Sequence, residues 1–469
     1  MRDERVSRRG FLVEAGTVTA GAAVFRTDVG LAAHAPPRLR IGPIHRVGFE
    51  GRKYIEPWIA ANPRDGANLV VVGSRYLGQV ATPSTFHLEP DAWFTTDGGT
   101  TWSAGDIAGT TDLRAETAYF SDAFATYAPD GTAFLVYLGS PAGNRSDLWI
   151  WRSSDGGRHW LGPTHLVGAF DYPRLAADLH QGRPRLFVAV AADGDRPILG
   201  RKRMTGYGCA ILRSDDGART FSFASFLAPT TLQHDPIDSP IILPNGRLLV
   251  GFADYAAAPS DDQPREHITH GRIYTALSPD GGSTFSAPAP IRDVLTHDGF
   301  VVLAADQSSG PRRGRVYALS HNRKATPHGP RLQTSDDGTL WTPPTAVPNL
   351  RAAPIPHAAA AVSSQGVLGL AWIEAKPGDP VEPDNKAWAS REHAWQLYLS
   401  ASADGGATFT APIPVLKTPS RTDPRIPRWP HGGDYISLAT APDGSFHLLW
   451  VDTRDGRREI QTTRIDVEQ

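Results

Sequence analysis

The chain has 469 residues, enough for two or three average domains or one large all-β domain. A net charge of −2 with 20% charged residues leaves no basic excess to hold nucleic acid, and a single cysteine, Cys209, excludes an intramolecular disulfide. Forty-six Gly and 40 Pro without collagen-like period signal many turns, and 40% hydrophobic residues suffice for a sizeable core.

The N-terminal Ser7-Arg8-Arg9-Gly10-Phe11-Leu12, followed by a mildly apolar stretch through Phe25, resembles a twin-arginine export signal. The stretch is rich in Gly and Ala, carries Glu14, and is too short and weak for a membrane anchor. Ala32, Ala33 and Ala35 offer an A-x-A-like cleavage site, and no cysteine lies nearby for a lipid anchor. The expectation is a signal over residues 1–35 and one mature domain over 36–469, periplasmic or extracellular, with no membrane span. Export of a folded chain permits a cofactor without requiring one, and none is assigned.

From residue 54 onward the chain repeats. A short apolar strand, a turn and a more apolar strand recur, beginning with Pro57–Asn62 then Asn68–Gly73, and Asp122–Tyr127 then Ala133–Tyr137. They continue through residues 173–190, 240–252, 300–319 and 358–372. Each of the first six pairs is followed by one motif: Thr95-Thr-Asp-Gly-Gly-Thr-Thr-Trp102, Ser153-Ser-Asp-Gly-Gly-Arg-His-Trp160, Ser214-Asp-Asp-Gly-Ala-Arg-Thr-Phe221, Ser278-Pro-Asp-Gly-Gly-Ser-Thr-Phe285, Ser335-Asp-Asp-Gly-Thr-Leu-Trp341 and Ser402-Ala-Asp-Gly-Gly-Ala-Thr-Phe409. An Asp side chain can accept the N–H groups of its own turn, Gly tolerates the positive φ, and the closing aromatic packs beneath. Asp97, Asp155, Asp216, Asp280, Asp337 and Asp404 are therefore read as structural.

A seventh pair, Tyr435–Ala439 and Phe446–Trp450, has a third strand, Glu459–Arg464, and then the chain stops. Seven starts and six complete units leave one blade short of its outer strand, and Leu39–Arg46 is the natural donor. The predicted fold is an all-β propeller of four-stranded blades closed by strands from both termini. Seven blades are favoured, with six as the alternative if the first or last unit is not a blade.

In a propeller the starts of first strands and the ends of second strands meet at one mouth. First-strand starts supply Glu56, Asp122, Asp171, Arg174, His234, Asp235, Asp238, His297, Asp298, His357, His431, Asp434 and Tyr435. Second-strand ends supply Arg75, Tyr76, Asp254, Tyr255, His321, Arg323, Glu374, Asp452 and Arg454. A concave, polar mouth is the default ligand site. The plainer reading is that several acids cap turns or pair with local arginines, Asp171 and Asp434 above all. The histidines come from separate blades without metal-motif spacing, so no metal is assigned.

The six motifs match the Asp-box signature S-x-D-x-G-x-x-W/F, the fifth one residue short, and the chain resembles the sialidase-like superfamily over nearly all of residues 36–469. That resemblance implies a tyrosine nucleophile paired with a glutamate, an aspartate acid/base and three arginines on the sugar carboxylate. Tyr435-Ile-Ser-Leu438 before Pro442-Asp-Gly444 resembles the tyrosine motif. Leu243-Pro-Asn-Gly-Arg-Leu248 resembles the turn after the glutamate, with Asp238 the nearest acid. Glu89 or Asp91 falls at the acid/base position. Tyr54-Ile55-Glu56-Pro57 stands where the first arginine belongs, and Ala253-Asp254 where the second does. Arg425-Ile-Pro427 is in the wrong blade to substitute.

The resemblance implies an exported, glycoside hydrolase-like propeller acting on a glycan at its mouth, with the loops at Asp254–His270 and Lys376–Trp395 as walls. Trp388 and Trp395 would stack on sugar or lie in the core. The alternative is a non-catalytic propeller that binds glycans or a protein. Histidines converging within coordination distance would instead mark a metal-dependent enzyme.

Overall fold

The computed structural model of the protein describes residues 36–79, 86–141, 146–200, 204–230, 234–255, 271–295, 301–321, 330–347, 357–375, 392–426 and 429–468. Seven antiparallel sheets form a ring of blades, so the count of seven holds. Blade 1 runs Lys53–Ala61, Leu69–Gln79, Phe86–Thr95 and Ser103–Ala104 from the axis outward. Blades 2 to 6 follow in chain order. Blade 2 carries an extra parallel edge strand, Asp106–Ile107, and blade 6 an extra strand at Ser420–Arg421.

Blade 7 is made by both ends of the chain. Ser437–Thr440, Phe446–Asp452 and Glu459–Glu468 are its inner strands, and Arg38–Val47 is the fourth, with Arg38 opposite Glu468 and Val47 opposite Ile460. The donor strand is thus the one expected, and it covers the edge that Glu459–Glu468 would otherwise present to solvent.

Packing closes the ring. Each of the seven blade-to-blade interfaces holds one apolar cluster, including Leu449, Val451 and Ile460 of blade 7 against Tyr54, Ile59 and Leu69 of blade 1. The repeated aspartate turns contribute to these interfaces. Trp160 of blade 2 is buried beside Val70 of blade 1, and Trp341 of blade 5 beside Leu249 of blade 4. Within each turn the Asp works as the sequence suggested. Asp97 accepts from the backbone of Thr100 at 3.0 Å and of Thr101 at 2.9 Å, and from both flanking hydroxyls. These bonds hold its carboxyl at about 2, and Asp280 is held at about 2 in the same way. Cys209 is buried and forms no disulfide among the described residues.

Candidate functional site

The first strands of blades 1, 2 and 3 share one irregularity. Their ladders slip between Ile55 and Trp58, between Ser121 and Phe124, and between Asp171 and Arg174. At each slip a non-glycine residue adopts positive φ: Glu56 at 52°, Asp122 at 49° and Tyr172 at 49°. Such residues are uncommon outside strained or functional positions. Glu56, Asp122 and Tyr172 thus occupy equivalent positions, and Trp58, Phe124 and Arg174 follow each of them by two residues.

Glu56 is buried; its N–H donates to the Gly432 carbonyl at 2.9 Å, and its Oε2 accepts the Asp122 N–H at 3.2 Å. The Ser121 hydroxyl donates to Asp122 at 2.9 Å. Gly433 lies so close that a Cβ there would stand 2.6 Å from the Glu56 nitrogen. Tyr435 enters from blade 7, its ring 5.0 Å from Phe124 and 5.9 Å from Trp58. The side chain is half-buried, but the hydroxyl is fully buried and has no hydrogen-bond partner among the described residues. Burial, then the charges of Glu56 and Asp122, push the phenol well above its ordinary value, against the Arg174 guanidinium.

Arg174 is 7% exposed. Its guanidinium lies 3.9 Å over Phe124, 5.4 Å from Tyr435 and 5.7 Å from Tyr172, and donates one long bond to the Pro173 carbonyl at 3.3 Å. No carboxylate among the described residues pairs with it. A buried guanidinium held by aromatic faces rather than by an acid keeps donors for an anionic group.

Other expected residues are engaged elsewhere. Asp238 accepts the backbone N–H of Ser239 at 2.7 Å and of Leu303 at 2.8 Å, so its two oxygens tie blade 4 to blade 5; burial raises its pKa. Asp91 and Glu89 both pair with Arg75, the former at 3.2 Å, across the second and third strands of blade 1 with Tyr54 opposite Arg75. Asp452 is chelated by Arg454 and accepts the Ser420 hydroxyl at 2.6 Å. Asp171 closes its own turn through the Tyr172 N–H at 3.0 Å, and Asp434 is exposed.

His357 and His431 meet edge to face at 5.4 Å, and the buried Glu374 accepts the Trp372 indole N–H at 3.4 Å. His234, Asp235, Asp254 and His321 are placed by backbone alone, with His234 opposite Asp254 in the blade 4 ladder. His297, Asp298 and Arg323 lie outside the described residues, as do Trp388 and most of both wall loops. Trp395 is core, 1% exposed and packed between blades 6 and 7. No group of three metal-ligating side chains occurs among the described residues.

The structure therefore brings Tyr435 to Glu56, Asp122 and Arg174, and not to Asp238 or Asp91. Trp58, Phe124 and Tyr172 were missed as members of the site. Their signal lay in the parallel triplets Glu56-Pro57-Trp58, Asp122-Ala123-Phe124 and Tyr172-Pro173-Arg174, each at the start of a first strand.

No family model matches the chain, and no curated protein matches it. Solved structures similar to it include a protein of unknown function from Dyadobacter fermentans, 14% identical, covering 92% of this chain and 99% of that one at a TM-score of 0.48. The intramolecular trans-sialidase from Ruminococcus gnavus, in complex with oseltamivir carboxylate, is 11% identical over 90% of this chain and 97% of that one, at a TM-score of 0.45. An α-L-arabinanase from Penicillium chrysogenum, in complex with arabinobiose, is 12% identical over 73% of this chain and 91% of that one, at a TM-score of 0.41. Likeness at such identities says nothing of this chain's chemistry.

Proposed function

We propose that the protein is an exported, sialidase-like Asp-box propeller that acts as a glycoside hydrolase on a glycan seated over Tyr435. The observation that carries this reading is the Tyr435 hydroxyl, buried and without a hydrogen-bond partner among the described residues, with Glu56, Asp122 and Arg174 around it. A buried hydroxyl left unbonded costs stability, roughly 1–3 kcal/mol, and a ligand that engages it recovers that cost. Arg174 would hold an acidic group on the sugar through charge-assisted bonds.

In the catalytic form of this reading the Tyr435 oxygen attacks the anomeric carbon. Its proton passes to the Glu56 carboxylate as the glycosidic bond breaks. The leaving oxygen takes a proton from Asp122 or Asp434, the remaining carboxyls beside Tyr435. Water then cleaves the tyrosyl–sugar bond by the reverse proton transfers. A neutral phenol approaches an acidic sugar without the repulsion a carboxylate would meet.

The elevated phenol pKa favours a second reading, in which the mouth binds a glycan without cleaving it, since a nucleophile is usually tuned downward. Incubation with sialosides and with plant, bacterial and host glycans, read by mass spectrometry beside Tyr435→Phe, separates the two. Released sugar that disappears in the variant supports the hydrolase. Retained but uncleaved glycan supports the binding module, and neither product nor retention sinks both. Export rests on the Arg8-Arg9 motif alone and is tested by fractionation of cells expressing the wild type and an Arg8→Lys, Arg9→Lys variant.

A further inference from the structure

The most heavily buried cation among the described residues lies outside the mouth. Arg458, immediately before the third strand of blade 7, is 0% exposed and holds positive φ at 58°. Burying a guanidinium is costly unless several acceptors surround it, so its partners are informative. Its Nη1 is 3.6 Å from the fully buried Asp423 carboxylate, and its Nη2 donates to the Trp429 carbonyl at 2.7 Å. Its own carbonyl accepts the Tyr54 N–H at 3.0 Å. Desolvation lowers its pKa to about 10, with Asp423 opposing the shift, so it stays charged at neutral pH.

These contacts lead to the mouth. The Trp429 carbonyl also accepts the Gly432 N–H at 3.0 Å, and the Gly432 carbonyl accepts the Glu56 N–H at 2.9 Å. Ile426 and Trp429 pack on Ile55 and Leu88 of blade 1, so the segment ahead of blade 7 grips the strand that carries Glu56. Tyr54 and Glu56, two residues apart, are thus hydrogen-bonded to Arg458 itself and to the turn Arg458 holds.

We infer that Arg458 is a positioning residue for Glu56: clamped by Asp423, it fixes the Trp429–Gly433 turn against which the left-handed backbone of Glu56 is seated. The inference rests on the reading of Glu56 and Tyr435 as the working centre. A left-handed glutamate persists only where its surroundings over-determine it, and here the determinants include the Gly432 carbonyl on its N–H, the Asp122 N–H on its Oε2 and the close face of Gly433.

The test is amide hydrogen exchange on the full-length protein, read on peptides spanning residues 53–61. Arg458→Met is expected to speed exchange there roughly tenfold, with blades 3 to 5 unchanged. Arg458→Lys, whose ammonium still reaches the Trp429 carbonyl, restores much of the protection. Arg425→Ala removes the other, exposed partner of Asp423 and leaves exchange as in the wild type. A folded Arg458→Met protein with unaltered exchange over 53–61 overturns the inference, as does an Arg425→Ala protein that behaves like Arg458→Met. If Arg458→Met does not fold, Asp423→Asn carries the same test; faster exchange over 53–61 supports the role and unaltered exchange overturns it. On a cleaved glycan, Arg458→Met lowers kcat with little change in KM, and a change in KM alone refutes positioning. The exchange measurement needs no substrate, so the glycan reading and this inference can fail separately.

Discussion

The guanidinium of Arg174 lies 3.9 Å over the ring of Phe124, a cation on an aromatic face where a carboxylate would ordinarily stand. Since no ion pair among the described residues is lost, Arg174→Met is expected to change stability by no more than about 2 kcal/mol, the scale of a desolvated cation–π contact. Affinity for an acidic glycan should fall roughly 10- to 100-fold, the scale of a charge-assisted bidentate contact. Thermal unfolding and titration calorimetry on the one variant check both. A loss of stability well beyond that range with affinity intact would make Arg174 a structural residue.

Tyr435→Phe removes a hydroxyl that is buried and unbonded among the described residues. Deleting such a group is expected to be neutral or stabilising by about 1 kcal/mol. The ring's contacts with Phe124 and Trp58 are retained. A higher melting temperature together with lost sugar release is the outcome expected. A fall in melting temperature would mean that the hydroxyl has a partner in the folded protein.

His447 sets a pH window. It is 1% exposed in blade 7, and desolvation, with the Arg464 charge second, pushes its imidazole down from 6.5 to about 4, against Asp443 and Asp466. The unfolded chain therefore binds a proton that the folded chain refuses between these values. Stability is complete above pH 6.5 and falls as pH drops toward 4, by on the order of 3 kcal/mol. His447→Gln, neutral throughout, should flatten denaturant midpoints across that window. An unchanged slope in the variant would assign the acid sensitivity to other groups.

Removing residues 36–47 deletes the outer strand of blade 7 and uncovers Glu459–Glu468. Leu39 also leaves the core between blades 6 and 7. The truncated protein is expected to lose several kcal/mol and to self-associate through the open edge, to be read by denaturant unfolding and light scattering. A monomer of wild-type stability would show that the closure is dispensable.

Most of the fold was legible in the chain because its information is local and repeated. Each aspartate turn satisfies its own backbone within eight residues, and each pair of apolar strands must be buried against the next. Seven starts against six complete units left Leu39–Arg46 as the strand to close the ring. The positions of Tyr435 and Arg174 near the starts of first strands were also legible, since they follow from strand order alone.

Which acid stands beside Tyr435 was not legible, and family spacing pointed to Asp238. Asp238 lies three blades from Tyr435, and Leu303 and Ser239 supply the donors that occupy its oxygens. Glu56 lies 379 positions from Tyr435 and meets it only because the ring closes between blades 7 and 1. The bulges at Glu56 and Asp122 are slips in pairing between strands, and no propensity of single residues predicts a slip. Arg458 reads in sequence as one of several basic residues in a polar turn; only the packing of Asp423 and Trp429 around it makes it a buried clamp. The sequence by itself determined the blades, their number and their closure, because turn chemistry and strand burial act over a few residues. The tertiary structure alone decided which charges share the mouth, because that depends on desolvation and on contacts made across the closed ring.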